Sequence, residues 1–154
     1  MFKNNLLIIL ITLLFAYACS NGRIYSSGEQ GLLSKKWIDI VKENPVDKDE
    51  NIKVTPLFKN KDGSHFIIQI KDREKPHIHE THDLTVIVKR GKGILNLGAD
   101  KLPMKGGDIA FIPRGILHYF VNTGREPAIA YVIFNPIYDG KDIKFIENTQ
   151  TGIP

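Results

Sequence analysis

From Ile52 onward the chain divides into short segments rich in apolar and β-branched residues, each closed by a turn-forming cluster. The segments are 52–58, 64–70, 76–79, 84–90, 93–97, 101–104, 108–112, 117–121, 128–134 and 143–146. Between them stand Asp62-Gly63, Gly91-Lys92-Gly93, Gly98-Ala99-Asp100, Gly106-Gly107, Asn122-Thr123-Gly124 and Asp139-Gly140. Glycine, asparagine and aspartate accept the backbone angles of tight turns, so these clusters reverse the chain. The segments are too short for stable helices and suit half-buried strands. Many short strands at near-even spacing must close on themselves or stack to bury their apolar faces. The pattern therefore predicts an all-β barrel or sandwich over 52–150. The 154 residues leave room for one such domain, and no internal repeat or low-complexity tract interrupts it.

The first residues follow a different logic. Lys3 precedes Leu6–Tyr17, a run of apolar residues broken only by Thr12. It is shorter than the roughly 20 residues a spanning helix needs, and it has the length of a secretory core. Ala16-Tyr17-Ala18 then leads into Cys19, the only cysteine. A lone cysteine excludes an intrachain disulfide, a cysteine zinc site and a CxxC redox motif. The arrangement resembles a bacterial lipobox, with Ala16 where that family usually has leucine. The resemblance implies that 1–18 is a lipoprotein signal peptide. Cys19 would then be lipidated with diacylglycerol and fatty acid such as palmitate. The mature protein would sit in the bacterial cell envelope, held to a membrane by its lipid and facing the periplasm or the exterior. Several acyl chains anchor a protein stably without a spanning helix.

Residues 19–31 are polar and rich in glycine and serine, which predicts a flexible tether. Leu33, Trp37, Ile40 and Val41 recur at helical spacing, which predicts one short amphipathic helix over 32–44, stopped before Pro45. Residues 32–51 are thus a helix and lead-in. The formal net charge is +4 and falls to +3 without Lys3, too little to mark a nucleic-acid-binding surface.

Five histidines carry the chemistry: His65, His77, His79, His82 and His118. His77 and His79 are two apart on a predicted strand, so both rings leave the same face. Two imidazoles on one face can share a metal ion, given a third ligand from elsewhere. The competing reading of the pair alone is a polar strand end with solvated rings. His65 begins a strand and reads as a surface or barrel-mouth histidine. Asp62-Gly63 lacks the preceding acidic ligands of a calcium loop, and Gly91-Lys92-Gly93 leads into a strand rather than a nucleotide-binding helix.

The segment from Gly107 to Asn122 resolves the third ligand by resemblance. Gly107, Pro113, Gly115, His118 and Asn122 stand at the spacing of the second motif of the cupin superfamily. His77, His79 and Gly91 match the first motif. The resemblance covers about 52–135 and implies a cupin fold, a double-stranded β-helix or jelly-roll barrel with one short N-terminal helix before it. It also implies a divalent transition metal held by His77, His79 and His118. Iron, nickel, copper and zinc all accept imidazole, and the sequence does not choose among them. The sequence departs from the family at Leu84, where the metal-binding glutamate usually stands. Three readings follow: a neutral three-histidine set, His82 as a fourth ligand, or Asp83 as the carboxylate. By alternation Phe120 shares the face of His118 and, with Leu84, lines the pocket. Arg114 reads as a solvated turn residue.

These features imply an exported, lipid-anchored metal-binding cupin acting on a small metal-chelating substrate, in the manner of a dioxygenase or isomerase. A metal held by neutral ligands keeps its full charge and favours an anionic or chelating partner. The alternatives are a non-catalytic module that binds a small ligand or the metal itself, and a structural subunit with a vestigial pocket. Fold alone does not choose between enzyme and binding protein. The family resemblance further implies a homodimer formed by strand exchange at the barrel edge.

Overall fold

A computed structural model describes residues 22–28 and 31–146. The leader and Cys19 lie outside the described residues. The described residues fall into two compact units, divided after Pro45.

In the first unit, β1 (Arg23–Gly28) pairs antiparallel with β2 (Gly31–Lys36), and α1 (Trp37–Glu43) follows directly. The tether expected through Gly31 and the helix expected from Leu32 are both corrected here. The register sets Gly28 opposite Gly31, so a two-residue connection joins the strands. The polar composition of this stretch hides its two strands. Leu33 sits on β2 opposite Ser26 rather than on the helix. Trp37, Ile40 and Val41 form the buried face of α1, at the spacing an amphipathic helix requires. Among the described residues no helix is long and apolar enough to cross a membrane.

The second unit is a barrel of two five-stranded sheets. Its strands are β3 (Ile52–Lys59), β4 (Ser64–Ile70), β5 (His77–His79), β6 (Asp83–Arg90), β7 (Lys92–Leu97), β8 (Asp100–Lys105), β9 (Ile109–Ile112), β10 (His118–Asn122), β11 (Ala128–Asn135) and β12 (Ile143–Phe145). One sheet runs β12-β5-β10-β7-β8 and the other β3-β4-β11-β6-β9, with every pair antiparallel. Each expected segment corresponds to a strand within about two residues at either end. Non-consecutive neighbours such as β4-β11-β6 give the double-stranded β-helix order.

Alternation explains the core. On β11, Ala128, Val132 and Phe134 are buried, facing Leu84 and Val88 on β6 and Ile70 on β4. Register places Val132 opposite Val86, and Phe134 opposite Leu84. On β9, Ile112 turns inward and is 2% exposed, while Ile109 and Phe111 turn outward at 66% and 60%. Pro56 and Pro103 lie on β3 and β8, each at the edge of its sheet, where a missing N–H leaves no interior ladder bond unmade. Gly93 on β7 packs directly under Phe120. A Cβ there would overlap the Phe120 ring and the Val121 carbonyl, so only glycine fits. His65 turns outward on β4, stacked on Phe58, with Nδ1 2.8 Å from the Tyr131 hydroxyl.

Candidate metal centre

β5 and β10 are neighbours, and their register puts His77 opposite His118. His79 follows two residues later on the same face. The three rings are 5%, 4% and 3% exposed for His77, His79 and His118. One nitrogen from each lies within 4.8 Å of the other two. Ring centroids are 4.3 Å apart for His77–His118, 5.2 Å for His77–His79 and 5.5 Å for His79–His118.

Backbone carbonyls set the tautomers of two of these rings. His77 Nδ1–H donates to the Lys75 carbonyl at 2.7 Å, and His118 Nδ1–H to the Ile116 carbonyl at 2.9 Å. A neutral imidazole protonated at Nδ1 carries its lone pair on Nε2, the atom that ligates. Among the described residues His118 Nε2 is buried with no hydrogen-bond partner. A buried, unpaired acceptor is costly, and an ion would satisfy it. Burial, reinforced by the neighbouring His77 and His118, depresses His79 to about 4. Burial also depresses His118 to about 4, against a raising contribution from the Ile116 carbonyl. Both rings are therefore neutral at physiological pH, as ligands must be. The donor set fits a transition metal that accepts imidazole.

Asp142 supports this cluster from behind. Its side chain is 5% exposed, and Oδ2 lies 3.5 Å from His79 Nδ1 and 2.5 Å from His82 Nδ1. Oδ1 accepts the backbone N–H groups of Glu80 and Thr81, both at 2.9 Å. Burial opposes ionisation of this carboxyl. Hydrogen bonds from His82 and Thr81 outweigh it and bring Asp142 down to about 2. His79 Nδ1 makes no hydrogen bond among the described residues, so Asp142 acts on that ring through its nearby charge, as a carboxylate behind a ligating histidine does. Asp142 lies 60 residues from His82, inside a segment that reads only as a turn.

The structure does not bring His82 or Asp83 into the three-histidine cluster. His82 is buried, but Nδ1 faces Asp142 and Nε2 lies 3.0 Å from the Ile137 carbonyl, so both nitrogens are engaged. Asp83 turns away to Arg114, accepting from its Nε at 3.1 Å, its Nη2 at 2.8 Å and its backbone N–H at 2.9 Å. Those bonds hold the Asp83 carboxyl down to about 2. Arg114, read as a solvated turn residue, instead clamps the loop before His118 to the start of β6. Leu84 points into the barrel and is 5% exposed, so an apolar side chain occupies the place of the family's glutamate.

The histidines border a cavity of about 210 Å³. Leu84 and Phe120 both line it, as alternation predicts. So does Glu74, which the sequence does not single out. Glu74 Oε2 accepts the Phe120 N–H at 2.8 Å, and its own N–H donates to the Phe120 carbonyl at 2.9 Å. Burial pushes this carboxyl up, partly offset by His77 and by the Phe120 N–H.

A two-sheet antiparallel barrel with three converging histidines defines a class: small double-stranded β-helix proteins with an internal polar centre. Residues 64–134 match the Cupin domain family. An uncharacterized protein of Aquifex aeolicus (strain VF5) is 41% identical over 119 residues, covering 75% of this chain and 98% of the relative. The chain belongs to the cupin family. Among solved structures, a double-stranded β-helix protein from Klebsiella pneumoniae superposes with a TM-score of 0.59 at 22% identity, covering 70% of this chain and 94% of that one. KdgF from Halomonas sp. superposes at 0.57 and 22% identity, covering 64% and 91%. Pac13 from Streptomyces, described as a nucleoside dehydratase, does so at 0.57 and 15%, covering 70% and 88%. At these identities the solved structures establish the fold.

Proposed function

We propose that this chain is a metal-dependent cupin enzyme of the bacterial envelope, held to a membrane through lipidated Cys19. It acts on a small chelating substrate in dioxygenase- or isomerase-like chemistry. The observation that carries the metal reading is His118 Nε2, buried beside His77 and His79 and unpartnered among the described residues. His77, His79 and His118 would hold the ion. When bound, the ion supplies a Lewis acid that polarises an oxygen of the substrate.

The chain's own residues do the rest. The carbonyls of Lys75 and Ile116 fix the orientation of two ligands, and Asp142 backs the third. The apolar walls exclude water, which strengthens every charge interaction inside. Leu84 contributes no charge, so the set is neutral and the centre favours an anionic head. Pac13, a fold neighbour described as a nucleoside dehydratase, is an example of this barrel housing catalysis.

Metal content of the purified chain tests this reading. About one iron, nickel, copper or zinc per chain, lost in His118→Ala, is the expected result. No metal after reconstitution would move the function to a non-catalytic binding module. Labelled palmitate should enter the wild-type chain and not Cys19→Ala; labelling of both would remove the proposed anchor.

A further inference from the structure

The cavity beside the three histidines is walled almost entirely by hydrocarbon. Its polar lining, besides the histidines, is Glu74, Lys75 and Tyr138. Lys75 is exposed, with Nζ 5.8 Å from the centre of the Phe145 ring, so it stands at the rim. Tyr138 is half-buried beside Phe134. Glu74 and Tyr138, both half-buried, are the residues besides the histidines that bring polar groups to the apolar interior. Glu74 Oε2 is committed to the Phe120 N–H, and Oε1 has no hydrogen-bond partner among the described residues.

This lining selects strongly. A sugar or nucleoside placed here would lose water from several hydroxyl groups and find few partners in return. Unpaired buried polar groups are heavily penalised, whereas each buried methylene is favourable. The cavity of about 210 Å³ is small, so the guest is compact. We infer that the ligand is a small, largely hydrocarbon molecule with one anionic head at the histidine centre and one hydrogen-bond donor received by Glu74. The head rests on the metal reading above; the hydrocarbon body and the donor rest on the walls and on Glu74 alone.

The substitution Glu74→Gln sharpens the test. The Phe120 N–H requires an acceptor, so the glutamine carbonyl must take the place of Oε2. The amide NH₂ then faces the cavity, and an acceptor becomes a donor without a change of size.

Calorimetric titration of the full chain would use acetate, butanoate and hexanoate, with uridine and gluconate as polar controls. It would be run on zinc-loaded and metal-stripped protein. Affinity should rise about fourfold per methylene, from about 0.8 kcal/mol each, until the cavity is filled. Val86→Thr, which adds a hydroxyl to the wall at similar size, should weaken hexanoate severalfold. Among the isomeric hydroxyhexanoates, at least one should bind about tenfold tighter than hexanoate, and Glu74→Gln should abolish that gain. Far-UV circular dichroism of the variant should match that of the wild type, so the loss is read on a folded chain. A length-independent series, or uridine or gluconate binding as tightly as hexanoate, would overturn the hydrocarbon reading. A hydroxyl gain that survives in Glu74→Gln would overturn the role of Glu74. Failure of zinc to bind, with the length dependence intact, would sink the metal reading and leave the hydrocarbon ligand standing.

Discussion

Asp142 is the residue whose replacement discriminates best between a packing role and a supporting role. Truncation to alanine removes acceptors from three donors: the N–H groups of Glu80 and Thr81, and Nδ1 of His82. Glu80 and Thr81 are exposed, so water can replace the acceptor for their N–H groups at small cost. His82 is 4% exposed and cannot be reached that way. A buried charge-assisted hydrogen bond contributes about 1.5–3 kcal/mol, and a stranded buried group adds to the loss. Asp142→Ala should therefore destabilise by about 2–4 kcal/mol. Asp142→Asn keeps Oδ1 for the two backbone N–H groups. It presents an NH₂ to His82 Nδ1, which accepts it when the ring carries its proton on Nε2, toward the Ile137 carbonyl. That variant should lose only about 1 kcal/mol. It removes the negative charge 3.5 Å from His79, so metal affinity should fall by roughly 10–100-fold although the fold survives. Urea denaturation without metal reads the first effect, and competition with a chromogenic chelator reads the second. Equal destabilisation by alanine and asparagine would refute the hydrogen-bond reasoning. Unchanged metal affinity in the asparagine variant would refute the supporting role.

Other outcomes follow from the same geometry. His79 and His118 sit near 4 in the fold against about 6.5 unfolded, so between those pH values the unfolded chain binds more protons. Stability of the metal-free protein should be full above about pH 6.5 and fall as pH drops toward 4, by a few kcal/mol in total; a flat profile over that window in thermal melts would contradict the burial of neutral rings. Leu84→Glu places a carboxyl in the apolar barrel beside the histidines: it should cost several kcal/mol without metal and recover most of that on loading, read as a metal-dependent shift in Tm. Gly93→Ala drives a methyl into Phe120 and the Val121 carbonyl and should cost about 1–3 kcal/mol or more; a neutral result in urea denaturation would mean that β7 and β10 separate more easily than their packing implies.

The barrel strands were readable because each residue type reports its side of a thin wall. Ile68 and Ile70 face the cavity while His65 turns outward, and glycines mark where the wall turns. The same alternation placed His77 and His79 together. It failed for His82, whose parity with Leu84 suggested a common face. Residues 80–82 form no strand, so the two-residue period does not carry across from β5 to β6. Asp83 and Arg114 looked unrelated at 31 residues apart, and only the folded loop turns one toward the other. Glu74 and Asp142 were not legible for the same reason: their partners are 46 and 60 residues away. The hairpin before α1 was obscured because its strands are polar and short, so its turn was the sole cue.

β5 is three residues long and meets β10 at a single pair of facing residues, His77 and His118. The centre thus straddles the slenderest ladder of the barrel. Openings that break few backbone bonds occur far more often than global unfolding. A transient parting of β5 from β10 would release two ligands from the third while the remaining strands stayed paired. Exchange of a bound ion would then be timed by the breathing of one short strand, and amide hydrogen exchange at 77–79 would report its clock.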